Sequence, residues 1–125
     1  VQKKYSHAVI MVQKEFAEKL MANGGKDRKA ITVLVNHCAK IEQLMDVKKS
    51  NFSPQPKVDS VVLRLTKIHQ ISKDLIQTVN RLFSYRRKTI HNIGKEFGIS
   101  IDSNKRLEDL TNGEIIKLAK QINKN

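Results

Sequence analysis

Two groups of residues have types and spacing suited to chemistry on a nucleic acid. The first is Phe52 followed by Pro54 and Pro56 in the run Phe-Ser-Pro-Gln-Pro. Each proline fixes φ and removes an amide donor, so the ring sits on a stiff, extended loop that needs no hydrogen-bonded ladder. An enzyme that works on a base must unstack it and hold it against an aromatic or apolar wall, which such a loop can provide. On pattern alone the commoner role is a plug, with Phe52 closing the end of a sheet and the prolines punctuating a loop. Lys57, next to Val58 and Ser60 at the start of an expected strand, adds a candidate phosphate contact.

The second group is Tyr85-Arg86-Arg87-Lys88, with Lys73, Arg81 and Lys95 at helical spacing around it. Guanidinium groups pair bidentately with phosphate oxygens, and a tyrosine among them can stack a splayed base. Most charge runs are solvated helix faces, but here the charge is lopsided. Residues 67–95 carry seven Lys/Arg and one Asp, whereas residues 96–125 carry five of each sign. The positive charge of this part of the chain is thus concentrated in one element.

Other reactive types lack a partner pattern. Gln13-Lys14-Glu15 falls where a strand meets a helix, and Glu15 there complements the helix dipole. His7, His37, His69 and His91 have neither metal-ligand spacing nor a cysteine pair, so no metal is expected. Cys38, the single cysteine, lies on an apolar side of its segment and reads as packed.

The whole chain agrees with a polyanionic partner. Its 125 residues carry 24 Lys+Arg against 12 Asp+Glu, a formal charge of +12 with a pI near 10.0. Neutralising phosphates and releasing their counterions is the usual purpose of such a balance. One cysteine excludes an internal disulfide and fits a reducing, cytoplasmic compartment. No apolar run has the length of a membrane span, and Val1-Gln2-Lys3-Lys4 has no signal-peptide layout. The absence of an initiator Met points to a processed or truncated product.

The elements that must position these residues follow from periodicity. Ala8 to Val12 is a short apolar run of buried-strand type. Lys14 to Met21 places Phe16, Ala17, Leu20 and Met21 at helical spacing, and Asn23-Gly24-Gly25 stops that helix. Ala30 to Cys38 has strand propensity at Ile31, Thr32, Val33 and Val35. Its apolar positions 30, 31, 34, 35 and 38 fit a helix, which is the reading adopted here. Ile41 to Val47 and Val58 to Thr66 read as strands. From Lys67 onward the pattern is helical. Ile71, Leu75, Val79, Leu82, Ile90 and Ile93 share one face, opposite Lys73, Arg81, Ser84, Lys88, His91 and Lys95. Arg86 falls inside the apolar stripe, so either the helix breaks near Ser84, a competent N-cap, or Arg86 is sheltered with a specific partner. Thr111-Asn-Gly-Glu has the spacing of a capping box.

Four segments in this order resemble the KsgA-type ribosomal RNA adenine dimethyltransferases: Ala8–Leu20, Thr32–Asn36, Phe52-Ser-Pro-Gln-Pro-Lys-Val-Asp-Ser60 and Phe83-Ser-Tyr-Arg-Arg-Lys-Thr89. The match runs over nearly the whole chain. It implies the last three strands of a Rossmann-like class I methyltransferase sheet, the third inserted antiparallel between the other two, in residues 1–66. A small helical RNA-binding domain is implied for residues 67–125.

The resemblance also implies an S-adenosylmethionine-dependent transfer of methyl groups to adenine amino nitrogens in small-subunit ribosomal RNA. Phe52, Pro54 and Pro56 would then form the target-base pocket. Lys57, Lys73, Arg81, Tyr85, Arg86, Arg87, Lys88 and Lys95 would face RNA or a pre-ribosomal subunit. The family's glycine-rich cofactor loop and its Asn-Leu-Pro-Tyr motif are absent from these 125 residues, so no catalytic residue is assigned and the chain alone is expected to be inactive. A sheet lacking a neighbour would leave an edge through which copies associate. The alternatives are a non-catalytic RNA- or DNA-binding assembly or transcription factor on the same scaffold, and the resistance branch that methylates large-subunit RNA.

Overall fold

The apolar run after His7 forms β1 (His7–Gln13), which passes without a loop into α1 (Lys14–Leu20). After a turn come α2 (Ala30–Cys38), β2 (Ala39–Val47), a 3-10 turn at Lys49–Asn51 and β3 (Ser60–Lys67). Then follow α3 (Lys73–Ser84), α4 (Ile90–Glu96), a second 3-10 turn at Leu107–Asp109 and α5 (Asn112–Asn123). The structure is a computed structural model that describes residues 7–25 and 28–124.

The sheet has the order β1-β3-β2, and β3 is antiparallel to both neighbours. The expected insertion of the last strand is therefore observed. Opposed residues in an antiparallel pair share a face, so Ile10 with Leu63 and Val12 with Val61 point the same way. That face is covered by Ala17 and Leu20 of α1 and Val35 of α2, which complete a small core. The other face carries Val9, Met11 and Met45, each more than half exposed. A register shift between Gln43 and Met45 bulges β2 and leaves Leu44 exposed as well. Among the described residues β1 and β2 pair only with β3, so both outer edges are open.

The second core is helical. Leu75, Val79 and Leu82 of α3, Ile90 and Ile93 of α4, Leu107, and Ile115, Ile116, Leu118, Ala119 and Ile122 of α5 are all buried in it. Val33 of α2 belongs to this helical core, while Val35 packs against the sheet core. The helix reading of Ala30–Cys38 thus holds, and its β-branched residues are accommodated because the two cores grip opposite sides. Strand propensity yields to that packing.

Two expectations need correction, and of the two readings offered for Arg86 the helix break near Ser84 is the one observed. The strand starts at Ser60 rather than Val58, leaving Lys57 in the loop and Val58 exposed. The apolar face from Ile71 to Ile93 is divided between two helices by the turn at residues 85–89, and Arg86 is exposed there. Ser84 does not cap the second helix. Its hydroxyl donates back to the Arg81 carbonyl at 2.5 Å, whereas the Thr89 hydroxyl accepts the Asn92 amide hydrogen at 3.3 Å and caps α4. The capping box at Thr111 is present, with reciprocal bonds between Thr111 and Glu114 of 2.9 and 3.2 Å.

Candidate nucleic-acid interface

The β2–β3 loop that carries Phe52 is held by Asp59. Its carboxylate accepts the Lys49 amide hydrogen at 2.8 Å and lies 3.8 Å from the Lys48 ammonium. Its carbonyl accepts from the Lys14 amide at 3.0 Å, which fastens the end of the loop to the β1–α1 junction. The Lys49 amide holds the Asp59 carboxyl below the usual carboxylate range, helped by the charges of Lys48, Lys49 and Lys14. A shallow hollow of about 340 Å³ opens beside this anchor, lined by Lys14, Glu15, Glu18, Lys49, Val58 and Asp59.

Within the loop, the Phe52 amide closes the 3-10 turn on the Lys49 carbonyl at 3.2 Å. Phe52 is half-buried, yet it packs in neither the sheet core nor the helical core. Pro54, Pro56 and Lys57 are exposed, and the Ser53–Pro54 peptide is cis.

The second candidate cluster lies at the α3–α4 turn. Phe83, Ser84, Tyr85, Arg86, Arg87 and Lys88 line one open hollow of about 420 Å³. Phe83 and Tyr85 give it an aromatic component, and the Tyr85 ring meets that of Phe97 edge to face with centres 6.1 Å apart. Arg81 lies over the Phe97 ring, 4.4 Å from its centre, and donates to the Glu96 carbonyl at 3.3 Å. The Lys88 ammonium is 3.0 Å from a Glu96 carboxylate oxygen. Arg81 and Lys88 are thus engaged within the protein. Arg86 and Arg87 are exposed, and among the described residues neither forms an ion pair.

Lys73 and Lys95 are exposed but do not line this hollow. Lys73 stands at the far end of α3, about 12 Å along the axis from Arg81 at 1.5 Å per residue. The sequence-derived cationic set is therefore divided: a compact turn of Tyr85 to Lys88, a supporting Arg81, and two outlying lysines. Phe52 belongs to a different element, the loop between β2 and β3.

Arg28 and Arg106 were missed on sequence, because both read as ordinary members of charged loops. Arg28 is 1% exposed. Its guanidinium donates to the carbonyls of Leu110 at 2.5 Å and Leu107 at 2.9 Å and to Asn112 Oδ1 at 3.1 Å. Asn112 in turn donates its side-chain amide to the Ala22 carbonyl at 2.8 Å, and its backbone amide to Asn23 Oδ1 at 2.9 Å. These bonds fasten the loop after α1 onto the start of α5. Burial pushes the Arg28 pKa down. No sequence spacing announces contacts across about 80 residues. Arg106 reaches the α3–α4 turn, where its guanidinium donates to the Arg87 carbonyl.

Among the described residues no cluster of three or more His, Cys, Asp or Glu side chains is placed to hold a metal. Among the described residues the strand-to-helix junction at the end of β1 does not have the form that a dinucleotide-like cofactor needs. The β1–α1 junction is Gln13–Lys14 with no glycine and no side-chain cap, and Gly24-Gly25 follow the C-terminal end of α1. Such a cofactor needs close backbone approach at a strand-to-helix turn, which a Gln-Lys junction does not offer.

A profile of the ribosomal RNA adenine dimethylase family matches residues 2–124. The chain belongs to this family. Ribosomal RNA small subunit methyltransferase A of Lactobacillus acidophilus is 33% identical over 136 aligned positions, covering 94% of this chain and 46% of the relative. A probable dimethyladenosine transferase of Caenorhabditis elegans is 52% identical over 60 residues, covering 47% of this chain and 20% of its own length. The crystal structure of a dimethyladenosine transferase from Plasmodium falciparum superposes with a TM-score of 0.78 at 26% identity, over 96% of this chain and 58% of that one. The three strands and following helices are therefore part of the family's Rossmann-like methyltransferase fold and its helical extension. The chain spans about half the length of curated family members such as the Lactobacillus protein.

Proposed function

We propose that this chain is the RNA-engaging part of an S-adenosylmethionine-dependent adenine dimethyltransferase that acts on small-subunit ribosomal RNA in the cytoplasm. Residues 1–66 contribute the end of the catalytic sheet and the target-base pocket, and residues 67–125 dock the RNA. The methyl donor is bound by residues outside this sequence, so the chain alone transfers no methyl group. The donor supplies the methyl carbon. The residues present position the acceptor.

The reading is carried by the hollow at the α3–α4 turn. Two guanidinium groups that form no ion pair among the described residues stand beside a half-buried tyrosine, at the point where the helical face is interrupted. Arg86 and Arg87 suit the phosphates of a folded RNA, while the Tyr85 ring offers a stacking face for an unpaired base. Phe52 has the attributes of a base-pocket wall: an aromatic ring on a tied, proline-stiffened loop, packed in neither core. Lys57, in the same loop, is assigned a phosphate contact.

The test is RNA binding by this chain over a salt titration, with and without Arg86→Ala and Arg87→Ala. Loss of both arginines weakens binding and lowers the slope of log K against log salt by about 0.7–0.9 for each phosphate contact removed. An unchanged slope and affinity would overturn the assignment.

A further inference from the structure

The α3–α4 turn is shaped by a segment far along the chain. Ile90 donates its amide to the Lys105 carbonyl at 2.7 Å, and His91 to the Ser103 carbonyl at 3.1 Å. Thr89 and Arg106 form an isolated antiparallel bridge. Beside that bridge the Arg106 guanidinium donates to the carbonyl of Arg87. The Arg106 amide is itself held by Asp109 Oδ2 at 2.9 Å, which fixes the residue at the start of the second 3-10 turn.

Carbonyl oxygens matter at such a place because they carry partial negative charge, and one aimed at an incoming phosphate repels it. Several of those around the hollow are satisfied internally. The Arg81 carbonyl accepts from the Ser84 hydroxyl. The carbonyls of Leu82, Phe83 and Tyr85 accept from the amides of Tyr85, Arg86 and Lys88 at 3.0, 3.4 and 2.9 Å. The Arg87 carbonyl lies past the reach of this local pattern, and Arg106 supplies its donor across 19 residues of chain. Arg106 is exposed, and among the described residues it is in no ion pair. Its charge stays uncompensated next to the turn.

We propose that Arg106 is a positioning residue for RNA binding, capping the Arg87 carbonyl so that this dipole does not oppose a phosphate approaching the Arg87 side chain. This rests on the RNA-binding reading of the turn given above. Because the bond is made to backbone, replacing the Arg87 side chain leaves it intact. The side chain that Arg106 serves and the bond it makes can therefore be removed separately.

The experiment is a double-mutant cycle read by fluorescence anisotropy. The probe is a fluorescein-labelled RNA hairpin whose loop contains unpaired adenines. Arg106→Ala is expected to weaken binding about tenfold, the lower end of the worth of a charge-assisted hydrogen bond, because this one is exposed. In the Arg87→Ala background the same change should alter affinity by no more than about twofold, the signature of coupled positions. Arg106→Lys keeps a charged donor and should recover affinity to within about threefold of the unsubstituted chain. This last variant also separates a positioning role from simple misfolding. An unchanged affinity in Arg106→Ala would overturn the inference, as would equal losses in both backgrounds or a failure of Arg106→Lys to recover. If Arg87→Ala alone leaves binding intact, the RNA-binding reading of the turn falls and this inference with it.

Discussion

The Asp59 carboxylate accepts the backbone amide of Lys49 at 2.8 Å, so the two ends of the loop that carries Phe52 are tied to each other. The bond requires the ionised acid, whose pKa lies below its ordinary value in the folded chain because of that amide and the neighbouring lysines. A depressed folded pKa contributes stability that is present above the unfolded pKa, about 3.9 for an aspartate, and lost as pH falls through the lower folded value. The loop should therefore stay fastened at neutral pH and loosen only below about pH 4. Amide exchange at Lys49 measured by NMR against pH checks this. In Asp59→Ala that amide should exchange rapidly at every pH.

On the proposed base-pocket role, Phe52→Ala introduced into a full-length enzyme that includes this segment should slow single-turnover methylation of RNA. Aromatic stacking of one base is worth about 1–3 kcal/mol, so Phe52→Tyr should retain most of the rate. Equal losses in both variants, or none in Phe52→Ala, would remove Phe52 from the pocket.

His37 on α2 stacks on His69 with ring centres 5.2 Å apart, at a cleft that also contains Asn112 and Ile116 of α5. Burial first, then the charges of Lys120 and His69, lower its pKa. The folded chain therefore binds fewer protons here than the unfolded chain. Stability from this site is complete above the unfolded histidine value, near 6.5, and declines as pH falls through the folded value. Thermal unfolding at pH 7.5 and pH 5.5 should show a lower midpoint at the acid value, and His37→Gln should reduce the difference.

Gly94 sits in α4 where an added Cβ would lie 2.8 Å from the Ile99 carbonyl oxygen. That oxygen is backbone and cannot swing aside, so Gly94→Ala should destabilise the chain by about 1–3 kcal/mol through overpacking. Chemical denaturation checks the value. Glycine is required here for close approach, whereas Gly98, at φ +73, is required for its left-handed conformation.

The outer face of the sheet exposes Val9, Met11 and Met45 beside two edges that are unpaired among the described residues. Copies of this chain should associate as concentration rises, through strand pairing or burial of that face. Light scattering coupled to size-exclusion chromatography should give a mass that increases with loading. Met11→Lys should suppress the increase, because a charge on the outer face resists stacking. A constant monomer mass at high loading would refute the expectation.

Much of the framework was legible because its signals are local. The apolar run at Ala8–Val12, the Thr111–Glu114 capping box and the 3.6-residue spacing in α3 are each decided within a few residues. The helical state of Ala30–Cys38 could be read from spacing once strand propensity was set aside. The break between α3 and α4 was harder, since Leu82 and Ile90 share an apolar face and the stripe continues through the turn. Thr89 resolves it as an N-cap, but the turn is also held by residues 103–106. The candidate site was legible to the extent that Tyr85 to Lys88 are contiguous. That Lys88 is paired with Glu96 while Arg87 is served by Arg106 depends on contacts between separate elements. Composition and periodicity carry no information about those.

Because α2 offers Val33 to one core and Val35 to the other, it is a party wall between the sheet and the helices. A recombinant that exchanged everything after β3 for the corresponding stretch of another family member would inherit an α2 surface shaped for the original tenant. Grafts of this kind are expected to work only when the α2 face bearing Ala30, Val33 and Leu34 travels with the helices it supports.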